Sequence, residues 1–200
     1  MSRLLIHVEG HTEENFVNQL LMGYLVRREI LRHLKEDPSC IATTMVDFYG
    51  LPQSGEDAWP GRSDAAGNQG AEVKCEIVIQ AMHRDMVREG GRGFDQRRFV
   101  PFVTMHEYEG LLFSDCAAFS RGIGQREIEA QLFEIRSAFS SPEEINDDPS
   151  TAPSKRVSRL VRSYQKTLHG PLAAGEIGLD AIREECPSFR RWLDRLVALV

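Results

Sequence analysis

The chain is 200 residues long and 42% hydrophobic, with 30 Asp and Glu against 24 Lys and Arg for a formal net charge of -6. That length accommodates one domain, or one domain with a helical appendage, around a core that needs no disulfide. The acidic balance argues against a simple electrostatic DNA-binding module, which carries a basic surface. It is compatible with carboxylates clustered around metal ions, because bound ions reverse the local sign.

An apolar run from Leu4 to Val8 delivers Glu9 and Gly10 into a helix start that Thr12 can cap. The spacing of Phe16, Val17, Leu20, Leu21, Tyr24 and Leu25 then predicts an amphipathic helix, extended by the polar stretch from Arg27 to Pro38. Glu9 sits at the first strand-to-helix turn, where open parallel sheets collect ligands, unless it only meets the positive end of that helix. A second strand, Ile41 to Val46, is rich in β-branched residues and ends at Asp47. Gly50-Leu51-Pro52 breaks regular structure, and Gln53 to Gly70 reads as a loop. Helical spacing returns from Ala71 to Arg88 and stops at Gly90-Gly91. A short strand from Arg98 to Thr104 leads into His106-Glu107-Tyr108-Glu109-Gly110.

Beyond Asp115 the pattern is mostly helical: one helix across Gln125 to Phe139, one across Ser154 to Leu168 and one across Ala181 to Leu199, with a turn-rich acidic connector from Pro142 to Pro149. Cys40, Cys75, Cys116 and Cys186 form no C-x-x-C pair, which points to reduced thiols and away from a zinc ribbon or disulfide framework. No secretory leader pattern and no apolar stretch of membrane-spanning length is present, so a cytoplasmic location is expected. There is no internal repeat and no linker that requires two independent domains.

Three strand ends carry carboxylates: Glu9, Asp47, and the pair Glu107 and Glu109. Parallel strands joined by right-handed crossovers bring these ends to one edge. Glu107 and Glu109, if extended, share a face, and Glu13 lies one helical turn beyond Glu9 and can point back. Gathered carboxylates without matching cations repel one another. A hard divalent cation removes that repulsion, and oxygen ligands favour Mg2+ or Mn2+ over zinc. Metal-assisted phosphoryl transfer is the reaction such sites serve; the alternative is that these acids cap helices or face solvent. His106 is the histidine best placed as a general base or a group that orients one, whereas His7 lies on the apolar face of its strand. Lys155, Arg159, Arg162 and Lys166, with Arg156 adjacent, form one stripe if the segment is a single helix. The stripe suits a phosphate backbone; a solvated face or an acidic partner protein is the alternative.

Val8-Glu9-Gly10-His11-Thr12-Glu13, Asp47-Phe48-Tyr49-Gly50-Leu51-Pro52, the block from His106 to Asp115, and Pro153-Ser154-Lys155-Arg156 resemble the bacterial family catalogued as domain of unknown function 4276, a Toprim-like family. The resemblance extends over nearly the whole chain, including Tyr164-Gln165-Lys166 and Cys186-Pro187-Ser188-Phe189, and the His-Glu-x-Glu block is its most specific part. It implies an α/β fold with a Toprim, Rossmann-like sheet, mostly parallel and flanked by helices. Residues 1–140 would form the catalytic core, and residues 141–200 a helical C-terminal part packed on it as one compact unit.

The resemblance also implies Mg2+ bound by a glutamate after the first strand, matched by Glu9, and by acids after a later strand. Glu13 looks like the second glutamate of the overcoming-lysogenisation-defect nucleases. Asp47 stands where an Asp-x-Asp motif would begin, but Tyr49 replaces its second acid. Either Glu107 and Glu109 supply the missing ligands, or the metal site is weaker than in topoisomerases and primases. No tyrosine is assignable as a strand-passing nucleophile, which favours hydrolysis.

Relatives with Toprim nuclease domains often act in defence against phage, paired with an ATPase. A chain lacking its own G-x-x-x-x-G-K-[ST] loop fits the effector subunit of such a pair. The expectation is a Mg2+- or Mn2+-dependent nuclease with metal ligands Glu9, Asp47, Glu107 and Glu109, Glu13 as ligand or base, and Lys155, Arg156, Arg159, Arg162 and Lys166 on nucleic acid. The rival is a catalytically silent Toprim-like regulatory or assembly subunit of an ATPase complex, and a third reading is an RNase aimed at transfer RNA. DNA against RNA, endonuclease against exonuclease, and oligomeric state, homo-oligomer included, stay open.

Overall fold

The structure, a computed structural model, describes residues 22–55, 58–68, 70–105, 108–145 and 152–199, with side chains from Arg28 onward. The strand expected at Leu4 to Glu9, its turn at Gly10 and the Thr12 cap lie outside the described residues.

Helix α1 (Met22–Glu36) buries Leu31 and Leu34. Arg98 closes its C-terminal end, donating to the carbonyls of Leu34 at 2.7 Å and Asp37 at 3.0 Å. These are carbonyls the helix itself leaves unsatisfied. Strand β1 (Ala42–Asp47) follows, and it pairs in parallel with β2 (Phe99–Thr104) in a register from Ala42 opposite Phe99 to Asp47 opposite Thr104. Among the described residues the sheet has these two strands.

The crossover between them carries helix α2 (Arg62–Ala66) and helix α3 (Ala71–Gly90). β2 is buried on both faces, which is why it reads as an unbroken apolar run. Phe99 and Val103 join Leu34, Val78, Met82 and Met86 in one cluster. Phe102 turns the other way and stacks on Trp192, with centroids 4.9 Å apart.

After β2 the chain is helical. A 3-10 segment (Tyr108–Ser114) precedes α4 (Cys116–Gly122), whose N-terminus Asp115 caps by accepting from the Ala118 amide at 2.8 Å. Then come α5 (Glu129–Ser137), α6 (Pro153–Leu160), α7 (Lys166–Ile177), α8 (Leu179–Glu185) and α9 (Pro187–Val197). Leu112, Phe113, Phe119, Leu132, Val157 and Phe189 form the core they share with Phe102. Glu143 reaches across to cap α9, accepting from the Ser188 and Phe189 amides at 2.8 Å each.

The α/β class, the parallel pairing and the helical C-terminal part are as the sequence led us to expect. Several elements differ. The loop from Gln53 to Gly70 contains α2, held because Gly61, at φ 74°, lets the chain lie directly on α3; a Cβ there would come within 2.7 Å of the Ala81 Cβ. The helix expected across Ser154 to Leu168 is two helices, because Val161 turns extended and buries its side chain. The last helix is also two, broken at Cys186, which precedes Pro187 and is extended at φ -115°. No helix among the described residues is long and apolar enough to cross a membrane, and all four cysteines are free.

Candidate active site

The site begins where β1 ends. Asp47 Oδ1 accepts from the Tyr49 amide at 2.9 Å and the Gly50 amide at 3.4 Å, closing a tight turn of the kind aspartate favours. The Phe48 amide continues the ladder to the Thr104 carbonyl at 2.8 Å, so the turn stays attached to β2. The carboxylate is thereby placed at the carboxyl edge of the strand pair, where α/β proteins bind ligands. Buried Arg62, from α2, braces the turn from outside by donating from Nε to the Phe48 carbonyl at 2.8 Å.

Glu109 comes from the 3-10 segment after β2 and is 1% exposed. Its Oε1 has no hydrogen-bond partner among the described residues, and neither do the buried hydroxyls of Tyr108 and Tyr164. Tyr108 fits only because position 170 is glycine: a Cβ there would lie 1.5 Å from the tyrosine oxygen. Tyr164, in the break between α6 and α7, stacks on His169 with centroids 5.5 Å apart. Lys166 opens α7 on the exposed side of the same region.

The electrostatics tie these groups together. Burial pushes the Glu109 carboxyl above the ordinary carboxylate range; its own backbone N–H offsets part of that, and the Asp47 charge adds to it. Burial also raises Asp47, against the Tyr49 and Gly50 amides and the positive charges of Lys166 and Arg62. Tyr164 is raised by burial first, then by Glu109 and Tyr108, so its hydroxyl stays protonated. Burial lowers Lys166, and Asp47 pulls it back. A buried carboxyl that feels a second negative charge favours its protonated form unless a cation offsets that charge.

Of the residues the sequence singles out, Asp47 and Glu109 lie within electrostatic range of each other, the Asp47 charge helping to raise the Glu109 carboxyl. Glu9, Glu13, His106 and Glu107 lie outside the described residues. Glu109 is in a 3-10 turn, not extended, so the alternation expected for an extended Glu107–Glu109 pair does not describe it. Tyr49 sets its ring edge-on to Phe48 at 5.3 Å. The basic stripe is divided: Lys155, Arg156 and Arg159 are on α6, Arg162 is in the turn after it, and Lys166 begins α7. Arg156 lies over the Phe139 ring, 5.6 Å from its centroid.

Sequence reasoning missed Arg62, Tyr108 and Tyr164 as neighbours of the acids. Tyr108 and Tyr164 left a signal, in the block from His106 to Asp115 and in the Tyr164-Gln165-Lys166 segment, and Arg62 left none. Among the described residues no group of three or more His, Cys, Asp or Glu is gathered as a metal centre. Asp47 and Glu109 carry hard oxygen donors of the kind that could hold Mg2+ or Mn2+, and the buried Oε1 of Glu109 has no partner among the described residues.

Fold and site together define an α/β protein with Asp47 at the carboxyl edge of parallel strands and with the buried Glu109 and Lys166 within range of its charge. The chain matches the family described as Domain of unknown function (DUF4276) over residues 8–197, and it belongs to that family. No curated protein and no solved structure matches it.

Proposed function

We propose that this chain is a Mg2+- or Mn2+-dependent Toprim-type nuclease that hydrolyses phosphodiester bonds of DNA or RNA in the cytoplasm, as the effector of an anti-phage defence system working with an ATPase. One observation carries the reading. Two carboxylates that follow successive parallel strands, Asp47 and Glu109, lie within range of each other's charge, and Glu109 is buried with an oxygen that has no partner among the described residues. A bound divalent cation would offset that repulsion and stabilise charge developing on the scissile phosphate. Asp47 and Glu109 would hold it, with Glu9 and Glu107 completing the ligand set, Glu13 as ligand or base, and His106 as base or orienting group. Lys166, within electrostatic range of Asp47, meets phosphate charge at the site. Lys155, Arg156 and Arg159 on α6, with Arg162 beyond, meet the backbone further along the strand.

A specific observation favours a second reading, a catalytically silent subunit of an ATPase complex. The place of a second acid is taken by Tyr49, whose ring packs on Phe48. Cleavage of labelled plasmid, single-stranded DNA and total tRNA in Mg2+ or Mn2+, alone and with a co-purifying ATPase, separates the two. A nuclease loses cleavage in Glu9→Gln, Glu107→Gln and Glu109→Gln variants that remain folded. Silence of the parent under every condition assigns the scaffold.

A further inference from the structure

We propose that Arg62 is a positioning residue for the site: it fixes the turn that aims the Asp47 carboxylate, acting through the backbone carbonyl of Phe48. The inference rests on Asp47 being a site residue, as in the proposed function. Arg62 is 5% exposed. Its guanidinium lies 3.9 Å from the centroid of the Phe48 ring and 5.7 Å from that of Tyr49, and Nε donates to the Phe48 carbonyl at 2.8 Å. Nη1 is buried with no hydrogen-bond partner among the described residues. Burying a cation with part of its donor set unmet works against stability, so packing alone is a poor reason for an arginine here.

The anchoring runs from the rigid part of the fold to the acid. Gly61 allows α2 to sit on α3; a Cβ at that position would come within 2.7 Å of the Ala81 Cβ and 2.9 Å of the Ile77 carbonyl. Arg62 is the next residue, so its backbone is pinned to α3 while its fork reaches the turn. From inside the turn, Asp47 Oδ1 accepts from Tyr49 at 2.9 Å and from Gly50 at 3.4 Å. The peptide group between Phe48 and Tyr49 is thus held at both ends, its N–H by Asp47 and its carbonyl by Arg62. The Asp47 carboxylate cannot swing away without breaking one of these bonds. Arginine suits the task because its planar fork stacks on a ring while Nε donates sideways. Lysine keeps the charge and loses both.

The test is amide hydrogen exchange, read by NMR on the full chain and its Arg62→Lys and Arg62→Met variants, with Mn2+ affinity measured in parallel. The Tyr49 amide is expected to exchange about tenfold faster in both variants. The Ala118 amide, bonded to Asp115 on the distant α4, should be unchanged. Mn2+ affinity should fall about tenfold, as when the support behind a metal ligand is lost. Equal acceleration at Tyr49 and Ala118 would make Arg62 a general stabiliser, and no acceleration at Tyr49 would detach it from the turn. Full protection in Arg62→Lys would assign its effect to charge alone. Each of these overturns the proposal, and the lysine variant decides if the methionine variant fails to fold. Selective acceleration at Tyr49 in a protein that binds no Mn2+ would uphold the positioning role and overturn the metal reading.

Discussion

Replacing Glu109 by Gln is expected to stabilise the metal-free protein at neutral pH while weakening its response to divalent cations. Glu109 is 1% exposed, and burial, then the Asp47 charge, hold its carboxyl above the unfolded value near 4.5. The folded protein therefore binds this proton more tightly than the unfolded chain does. At a pH below the unfolded value the group is neutral in both states and costs nothing. As pH rises through the unfolded and then the folded value, ionisation removes stability, and the loss is complete above the folded value.

Glutamine keeps the shape and removes the charge, but it places a buried amide where the unpartnered oxygen was. Of the roughly 1–3 kcal/mol or more that an unsatisfied buried group costs, about 1–2 kcal/mol should be recovered. At about 2–4 °C per kcal/mol for a chain of this size, Tm should rise by about 2–8 °C near pH 7.5 and hardly at all near pH 4. Thermal denaturation followed by circular dichroism across that range, with and without Mn2+, measures both effects. A variant less stable than the parent at neutral pH would refute the reasoning, because it would mean that the carboxylate is charge-paired in the native state.

Gly122→Ala should force α4 and α7 apart, since the added Cβ would lie 2.6 Å from the Ala173 Cα; overpacking of this kind costs about 1–3 kcal/mol, and an unchanged Tm would contradict it. A thiol reagent near pH 8 should label the half-buried Cys40 and Cys75 ahead of Cys116 and Cys186, whose thiols burial pushes up to about 11 and about 12. Peptide mass spectrometry reads the order, and rapid labelling of Cys186 in the folded protein would count against the packing described. Changing Lys155 and Arg159 together to Ala should weaken nucleic-acid binding across sequences and lower the log–log salt slope by about 2. If neither affinity nor slope moves, the α6 face has another purpose.

Asp47 as a strand end was legible because a β-branched run stops there against a Gly-Pro break, and α3 was legible from its spacing. β2 could be placed because its apolar run is short and bounded, although its burial on two faces comes from α3 and α9, which no local pattern reports. The approach of Glu109 to within range of the Asp47 charge was implied by topology, yet Glu109 comes from a 3-10 turn that extended alternation does not describe. Arg62 was hidden because its helix exists through tertiary contact of Gly61 with α3, inside a stretch whose composition reads as loop. The packing of Tyr108 was hidden for a related reason: its fit depends on the absent side chain of Gly170, 62 positions along by the numbering of the two residues. The division of the basic stripe depends on Val161 joining the core, a long-range effect that the cation spacing could not reveal.

The most direct test is Mn2+ binding, by calorimetry or electron paramagnetic resonance, to the parent chain, Asp47→Asn, Glu109→Gln and the double variant. If the two carboxylates hold one cation, the parent binds and each single substitution lowers affinity by about tenfold or more. The double variant should then be little worse than the weaker single one, because residues that act on one ligand are not additive. Parent-like affinity in both single variants, or no binding by the parent, would contradict a shared metal site at Asp47 and Glu109.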